Sequence, residues 1–466
     1  MNKTKKNQPI TSFSEAIIIL TIMLIILGGA IIGFKLPPQV PILVCICLLC
    51  FWANFCNFNW TFINQGIQKG VSVAVIPIFI FILIGSLIGL WIKAGIIPSI
   101  MYFGFHSLSG SFFVPSVFLA CSIVGAAIGS GLTTISTLGI ALFGIGASMH
   151  ANMPLVAGAI ISGGVFGDKM SPISDSTNLA SAVAGSELFA HIKNMTWSTV
   201  PAFLVSLFLY WILGSAGHIN NSVILKTSTV LSQNFIISWW ALLPLFLIVI
   251  CAWRKVPSIP TLFINIAATI IIIFIKNPHE NVKELVQIIT TGFVAKTASP
   301  SVNALLTRGG INSMMGTVFM VISTLSLGEL LIEFGIINSA LNPLIKHLHK
   351  PGSLILTTIL SGIGVNLVVG AQYLSVILPG EAFKDSFNKM GLSPLALSRV
   401  LEDGGTVINY IIPWGVSAMF VSTTLGIPVI QFMPFVFFSL LSPVFSVISG
   451  FTGIGLKVRN GRRNLG

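Results

Sequence analysis

The stretch Gly167-Asp168-Lys169-Met170-Ser171-Pro172-Ile173-Ser174-Asp175-Ser176-Thr177-Asn178 places two carboxylates and a cluster of side-chain oxygens between long apolar runs. Ionisable groups inside a bilayer cost on the order of 2.5 to 3.5 kcal/mol each on insertion scales, so a group this dense faces a water-filled or ion-filled cavity. The spacing of Asp168 and Asp175 would align them on a continuous helix, but Pro172 between them predicts a break. A broken helix exposes carbonyls and helix ends that can replace the hydration shell of a sodium ion, while carboxylates neutralise its charge. The segment thus predicts an ion site in which Asp168 and Asp175 bind the metal ion, Na+. Hard cations prefer oxygen, and Ser171, Ser174, Ser176, Thr177 and Asn178 supply it nearby. The same carboxylates accept protons, so Na+ and H+ can compete for one site.

The rest of the chain supports a membrane setting. Of its 466 residues 54% are hydrophobic and only 8% charged, with a mean hydropathy of +0.96, whereas soluble domains carry roughly 25% charged residues. Apolar stretches recur from end to end, among them Ala16 to Phe34, Trp239 to Trp253, Leu262 to Ile275 and Phe432 to Val447. The formal net charge of +12 does not point to nucleic acid. Its Lys and Arg sit at the chain ends and in short polar gaps, as the positive-inside rule describes. Lys3, Lys5 and Lys6 precede the first apolar segment, and Lys457, Arg459, Arg462 and Arg463 follow the last. Both termini are therefore expected in the cytoplasm, with an uncleaved first helix and an even number of crossings of the cell membrane. Cys45, Cys47, Cys50 and Cys56 crowd the second apolar segment without a nearby His or acid, which favours membrane packing over a metal site.

Hydropathy predicts helices near Ala16–Phe34, Val40–Phe55, Val71–Ile92, Phe112–Ile128, Thr133–Ser148, Leu155–Phe166, Trp197–Leu213, Ile236–Trp253, Pro260–Ile275, Met314–Glu333, Ser353–Val369, Pro394–Leu401 and Met433–Ile448. Several are too short to span alone, and the Gly and Pro between them predict broken helices or re-entrant hairpins. Ser215 to Gln233, with one Lys and no acid, reads as an external loop, and Arg254-Lys255 as a cytoplasmic turn. Trp91-Ile92-Lys93-Ala94-Gly95-Ile96-Ile97 resembles Leu331-Ile332-Glu333-Phe334-Gly335-Ile336-Ile337, and Gly129 to Gly139 can be laid against Gly370 to Gly380. This internal repeat divides the chain into an N-terminal segment with the first helices (1–55), a first repeat half (56–255), a connecting region (256–295), a second repeat half (296–455) and a basic tail (456–466).

Each half reaches an acidic segment. In the second it is Glu402-Asp403-Gly404-Gly405-Thr406-Val407-Ile408-Asn409-Tyr410-Ile411-Ile412-Pro413-Trp414, so Glu402, Asp403 and Thr406 join Asp168, Asp175, Ser174, Thr177 and Asn178 as candidates for ion and proton transport. A bland alternative pairs Asp168 with Lys169 and makes Asp175 a helix cap. Thr133, Thr134, Ser136 and Thr137 either line the cavity or bond neighbouring backbone. Glu329 and Glu333 share a helical face and repel unless one is protonated or solvated. His191 and Lys193 fit the membrane surface better than a proton path, and Arg308-Gly309-Gly310 is a weak anion signal.

With these residues in view, the chain resembles the NhaC family of Na+/H+ antiporters, within the wider ion-transporter superfamily. The resemblance covers most of the chain. It is carried by Phe166 to Ala180, a near match to the family signature, and by Tyr373-Leu374-Ser375-Val376-Ile377-Leu378-Pro379-Gly380 and Leu397 to Thr406. It implies an all-α polytopic membrane protein, an inverted-repeat secondary transporter with broken helices and paired re-entrant hairpins. It further implies a homodimer, Na+ and H+ as transported ions, no cofactor, and no enzymatic activity. Some relatives exchange organic acids such as malate and lactate alongside Na+ and H+. The chain departs from the family pattern at Ala371, where relatives commonly carry an acid, at Gly415 after Pro413-Trp414, and at Gly129-Ser130-Gly131-Leu132. These positions bear on a second cation site, on stoichiometry and on the solute.

Other classes fit less well. An intramembrane aspartyl protease would need Gly-x-Gly-Asp, but Gly164-Val165-Phe166-Gly167 precedes Asp168, and no Tyr-Asp pair occurs. None of the seven His forms H-E-x-x-H, which disfavours a zinc metalloprotease. A passive channel would need no counter-ion coupling.

Overall fold

The computed structural model describes residues 11–107, 112–214, 221–254, 256–345, 348 and 350–456. The basic residues expected at both chain ends, Lys255, and the start of the polar segment 215–233 lie outside the described residues. Helices α1 (Phe13–Gly28), continued by a π-helical turn to Gly33, and α2 (Gln39–Phe55) come first. The next group is α3 (Trp60–Lys93), α4 (Ile96–Ser107), α5 (Phe113–Ile128), α6 (Gly131–Thr134), α7 (Ile140–Ser148), α8 (Met153–Met170), α9 (Asp175–Ala184) and α10 (Leu188–Gly214). Four connecting helices follow, α11 (Asn221–Asn234), α12 (Leu243–Trp253), α13 (Ser258–Lys276) and α14 (Val282–Thr291). The last group is α15 (Pro300–Leu306), α16 (Ile311–Glu333), α17 (Ile336–Ile345), α18 (Pro351–Val369), α19 (Gln372–Lys389), α20 (Pro394–Leu401), α21 (Val416–Leu425), α22 (Val429–Phe432) and α23 (Phe437–Thr452). Among the described residues, eight helices are long and apolar enough to cross a membrane, or ten if each of two bent pairs is one span. The fold is all-α and polytopic, as expected.

The internal repeat extends well beyond the two short matches visible in sequence. A helix, a left-handed glycine and a second helix recur at a register that shifts by one residue between the first pair and the other two. Gly95 (φ 79°) and Gly335 (φ 71°) are one such pair, Gly129 (φ 72°) and Gly370 (φ 69°) a second, and Gly185 (φ 76°) and Gly426 (φ 71°) a third. A left-handed backbone at a helix end is strained for any residue with a Cβ, so glycine marks each stop. The N-caps Asn152 and Ser393 keep the register of the last two pairs, as do Ser174 and Gly415.

Equivalent helices run antiparallel. Gly66 lies against Leu330, Gly70 against Ser326, and Gly85 against Gly310 and Met314, so α3 and α16 pass in opposite directions. Along α10 and α23, Trp197 meets Gly455, while Tyr210 packs on Phe437 at 5.0 Å. Copies that cross one membrane in opposite senses are inverted repeats. Packing at these crossings is tight enough to require glycine: a Cβ at Gly70 would stand 2.4 Å from the Ser326 Cα.

One expectation is overturned. Within Ser215 to Gln233 the described part is helical, as α11, rather than an external loop. Its Thr and Ser residues include Thr227 and Ser228, which are buried with Leu231. Neutral hydroxyl residues satisfied by backbone or neighbours do not prevent a helix, so their abundance was a poor loop signal.

Candidate ion-binding site

The break anticipated at Pro172 is present. α8 ends at Met170, residues 171–174 are non-helical, and Ser174 caps α9 by accepting from the Thr177 backbone N–H. This arrangement brings the C-terminal carbonyls of α8 against the first turn of α9. Ser174 Oγ donates to Asp168 Oδ1 (2.7 Å) and lies 3.0 Å from Ser176 Oγ. Thr177 Oγ1 donates to the carbonyls of Asp168 (3.3 Å) and Lys169 (3.1 Å). Asn178 Nδ2 donates to the Pro172 and Ser174 carbonyls, which leaves its amide oxygen outward. Ser171 Oγ is buried without a partner, and a Cβ on Gly129 would come within 2.9 Å of it.

Asp168 is 8% exposed, whereas Asp175 is exposed and lines an open cavity of about 740 Å³. Gly129, Ser130, Thr133, Pro172 and Asn178 share this cavity. Ser174 is the cap of α9 and Asp175 only its first residue, so the capping role considered for Asp175 is not the observed one. The first turn of α6, at Gly131, faces Asp168 and directs a helix N-terminus at the carboxylate. Thr134, Ser136 and Thr137 bond backbone carbonyls of their own helical segment, while Thr133 reaches the cavity.

Lys169 points away from Asp168. Its Nζ donates to Asp403 Oδ1 (2.5 Å) and Ser442 Oγ (2.8 Å), approaches Ser198 Oγ (3.4 Å), and stands 5.8 Å from the centroid of Phe438. Both members of the pair are fully buried. The simple Asp168–Lys169 pair is therefore replaced by one that joins the two repeats. Glu402, Asp403 and Thr406 occupy a buried π-helical stretch, Glu402–Thr406. Glu402 faces the Thr406 hydroxyl as its one hydrogen-bonding neighbour, and Asp403 Oδ2 has no partner. Glu402 lies within electrostatic reach of Asp168, Lys169 and Asp403.

Register adds a residue that motif reading missed. Asn409 takes the place in the second repeat that Asp168 takes in the first. Its Nδ2 donates to Asn366 Oδ1 (2.9 Å) and the Gly370 carbonyl (3.0 Å), and its Oδ1 accepts from the Ser417 N–H (2.9 Å). A neutral amide network thus stands where the first half holds a carboxylate. Ala371, equivalent to Ser130, gives α19 no side-chain cap.

Other candidates are placed elsewhere. Glu333 pairs with Lys69 of α3. Arg308 donates to the carbonyls of Thr424 (3.1 Å) and Leu425 (3.0 Å), capping α21 rather than holding an anion. His191, assigned to the membrane surface from sequence, is fully buried, and neither ring nitrogen has a partner. The sequence placed it beside a polar turn, but α10 begins three residues earlier and carries it into the interior.

Residues 163–454 match the Na+/H+ antiporter family. The chain is 36% identical to the Na+/H+ antiporter NhaC of Alkalihalophilus pseudofirmus over 94% of this chain and 96% of that one. It is 35% identical to NhaC of Bacillus subtilis over 94% and 98% of the two chains. The arginine/ornithine antiporter ArcD of Halobacterium salinarum is 34% identical over 95% and 92%. With the family match spanning both acidic segments and full-length relatives of the NhaC type, the chain belongs to the Na+/H+ antiporter family.

Proposed function

We propose that the protein is a secondary active antiporter of the cell membrane that exchanges Na+ for H+, with Asp168 as the residue that alternately carries them. The observation that supports this most is a buried carboxylate, Asp168, at a helix break that also holds an unpartnered hydroxyl oxygen, Ser171 Oγ, and whose Pro172, Asp175 and Asn178 line an open cavity. Na+ bound there would meet Asp168, the hydroxyls of Ser171 and Ser174, and the negative end of the α8 dipole. A proton on Asp168 neutralises the same site, so the two cargoes exclude each other. Asp175 and Asn178 recruit the cation at the mouth. Glu402, fully buried and electrostatically joined to Asp168, is the second proton carrier, and Asp403 serves as the counter-charge of Lys169.

Arg254 lies between α12 and α13, whose ends line the cavity. The positive-inside rule makes that face cytoplasmic, so in this reading the cavity is inward-facing, and the basic chain ends of the sequence belong on the cytoplasmic side by the same rule. A homodimer completes this reading.

The test is proton flux in proteoliposomes loaded with a pH-sensitive dye. Asp168→Asn is expected to insert normally and lose Na+-driven proton movement, and Asp175→Asn to need more Na+ for the same flux; normal exchange by Asp168→Asn would overturn the reading.

A second reading keeps the cation site but makes an organic solute, of the malate or lactate type, the main cargo. It is favoured by the cavity volume of about 740 Å³, within the range of roughly 300–1,000 Å³ typical of small-molecule sites. Flux that appears only with an organic acid or amino acid in the liposome would select it.

A further inference from the structure

Outside the cation cavity, one seam gathers more of the polar atoms that lack partners than any other place, the rest standing singly or in pairs at Gln39, Thr324, Ser326, Ser361 and Thr424. Among the described residues they include both nitrogens of His191, Asn194 Oδ1 and Thr199 Oγ1 on α10, Ser439 Oγ and Ser446 Oγ on α23, Arg399 Nε on α20, and Asp403 Oδ2. The three helices are tied together at both ends of this seam. At one end Lys169, Asp403, Ser198 and Ser442 form the bonded cluster already described. At the other, Arg399 Nη2 donates to Ser449 Oγ (2.8 Å) and Nη1 to the Gly455 carbonyl (3.3 Å). Asn194 Nδ2 bridges α10 to the Leu395 carbonyl of α20 (2.8 Å).

Spacing makes the seam continuous. Ser439, Ser442, Ser446 and Ser449 recur at three- and four-residue intervals on α23, and His191, Asn194 and Ser198 do so on α10, so each set forms one stripe. Ser442 to Ser449 covers about 10 Å of helix. Glu187 is exposed one turn before His191, at the same end as Arg399 and Gly455. A buried polar atom in a membrane protein without a partner costs several kcal/mol, and so many in one seam require ordered water. The cation cavity is lined by a different set of residues and meets α10 only at Leu188, beside Glu187.

We propose that this seam is a water-filled proton path, separate from the Na+ cavity, in which His191 relays protons from the face bearing Glu187 to Asp403. The idea rests on the antiport reading above. A proton arriving at one ring nitrogen of His191 is matched by release of the proton on the other, so the imidazole returns to neutrality by tautomer exchange through water. The proton then moves through water held at Asp403 Oδ2, the oxygen not bonded to Lys169, to Glu402 and on to Asp168, so Asp403 stays charged against Lys169. His191 lies within electrostatic reach of both Lys169 and Asp403, as a relay must. Lys169, Arg399, Glu402 and Asp403 are the charged groups around this path. Physical separation of the two routes lets the proton approach while Na+ still occupies the cavity.

The experiment compares two fluxes in the same proteoliposomes. Na+-driven proton movement needs the path; exchange of radioactive Na+ for unlabelled Na+ at equal concentrations does not. His191→Phe and Ser446→Leu are each expected to slow proton movement by at least about tenfold while leaving Na+/Na+ exchange unchanged. Unchanged proton movement in both variants would overturn the path, as would parallel loss of both fluxes in correctly inserted protein. Hydroxyl-radical footprinting of the unmodified protein by X-ray radiolysis gives a second readout that needs no variant to fold. Met195 is fully buried on α10 within the seam, and Met320 is fully buried on α16 away from it. Oxidation of Met195 well above Met320 is expected; equal protection would show the seam dry and refute the proposal. Absence of Na+-driven proton movement in the unmodified protein would instead refute the antiport reading, and the path with it.

Discussion

Lys169 and Asp403 sit 234 positions apart in sequence yet neutralise one another inside the membrane. Desolvating two charges is expensive, and their attraction repays it only while both are present with good geometry. Lys169→Met should therefore leave Asp403 uncompensated and destabilise the protein by about 3–5 kcal/mol, seen as a lower melting temperature in detergent micelles. Adding Asp403→Leu to Lys169→Met should restore most of that loss, because no buried charge then remains. Asp168 behaves differently. Its contact with Ser174 needs only an acceptor oxygen, which Asn retains, so Asp168→Asn should melt like the parent protein and fail to exchange ions. A melting temperature lowered as far as that of Lys169→Met would make Asp168 a structural residue instead.

The elements that hold these residues work by close approach. Gly167 precedes Asp168 on α8, where an added Cβ would lie 2.4 Å from the Ala126 backbone nitrogen of α5. Gly167→Ala must push the two helices apart, with an expected cost of about 1–3 kcal/mol and a weakened apparent affinity for Na+ in the flux assay. Much at this scale was legible in sequence. Pro172 announced the break between α8 and α9, and the long apolar runs located most of the spanning helices. The short α20 was legible at its observed bounds, Pro394–Leu401, but α9, Asp175-Ser176-Thr177-Asn178-Leu179-Ala180-Ser181-Ala182-Val183-Ala184, is too polar for a hydropathy signal. Its helicity comes from the Ser174 cap and from packing on α19 and α20. Nor could sequence pair Lys169 with Asp403 or bury His191, since both follow from helices meeting across the two halves. Asn409 was within reach, because the glycine register that aligned Gly129 with Gly370 also aligns Asp168 with Asn409.

For the whole molecule, inversion of the repeats specifies the alternate state. The first half now lines the open cavity through Ser130, Thr133, Asp175 and Asn178, while the register-equivalent Ala371, Leu374, Val416 and Met419 are buried or half-buried. If each half can adopt the other's arrangement, the cavity closes around Asn178 and a second one opens around Met419 on the opposite face. The second cavity would be neutral, with Val416 and Met419 where the first has Asp175 and Asn178. Cations would then be attracted more strongly from one side than from the other. In protein whose six cysteines are first replaced by Ser, Asn178→Cys should react with a membrane-impermeant thiol reagent supplied from the cytoplasmic face. Met419→Cys should react only from the other face, and faster when Na+ and proton gradients drive turnover. Reaction of both cysteines from one side would place the two halves in the same orientation and exclude an exchange of their arrangements.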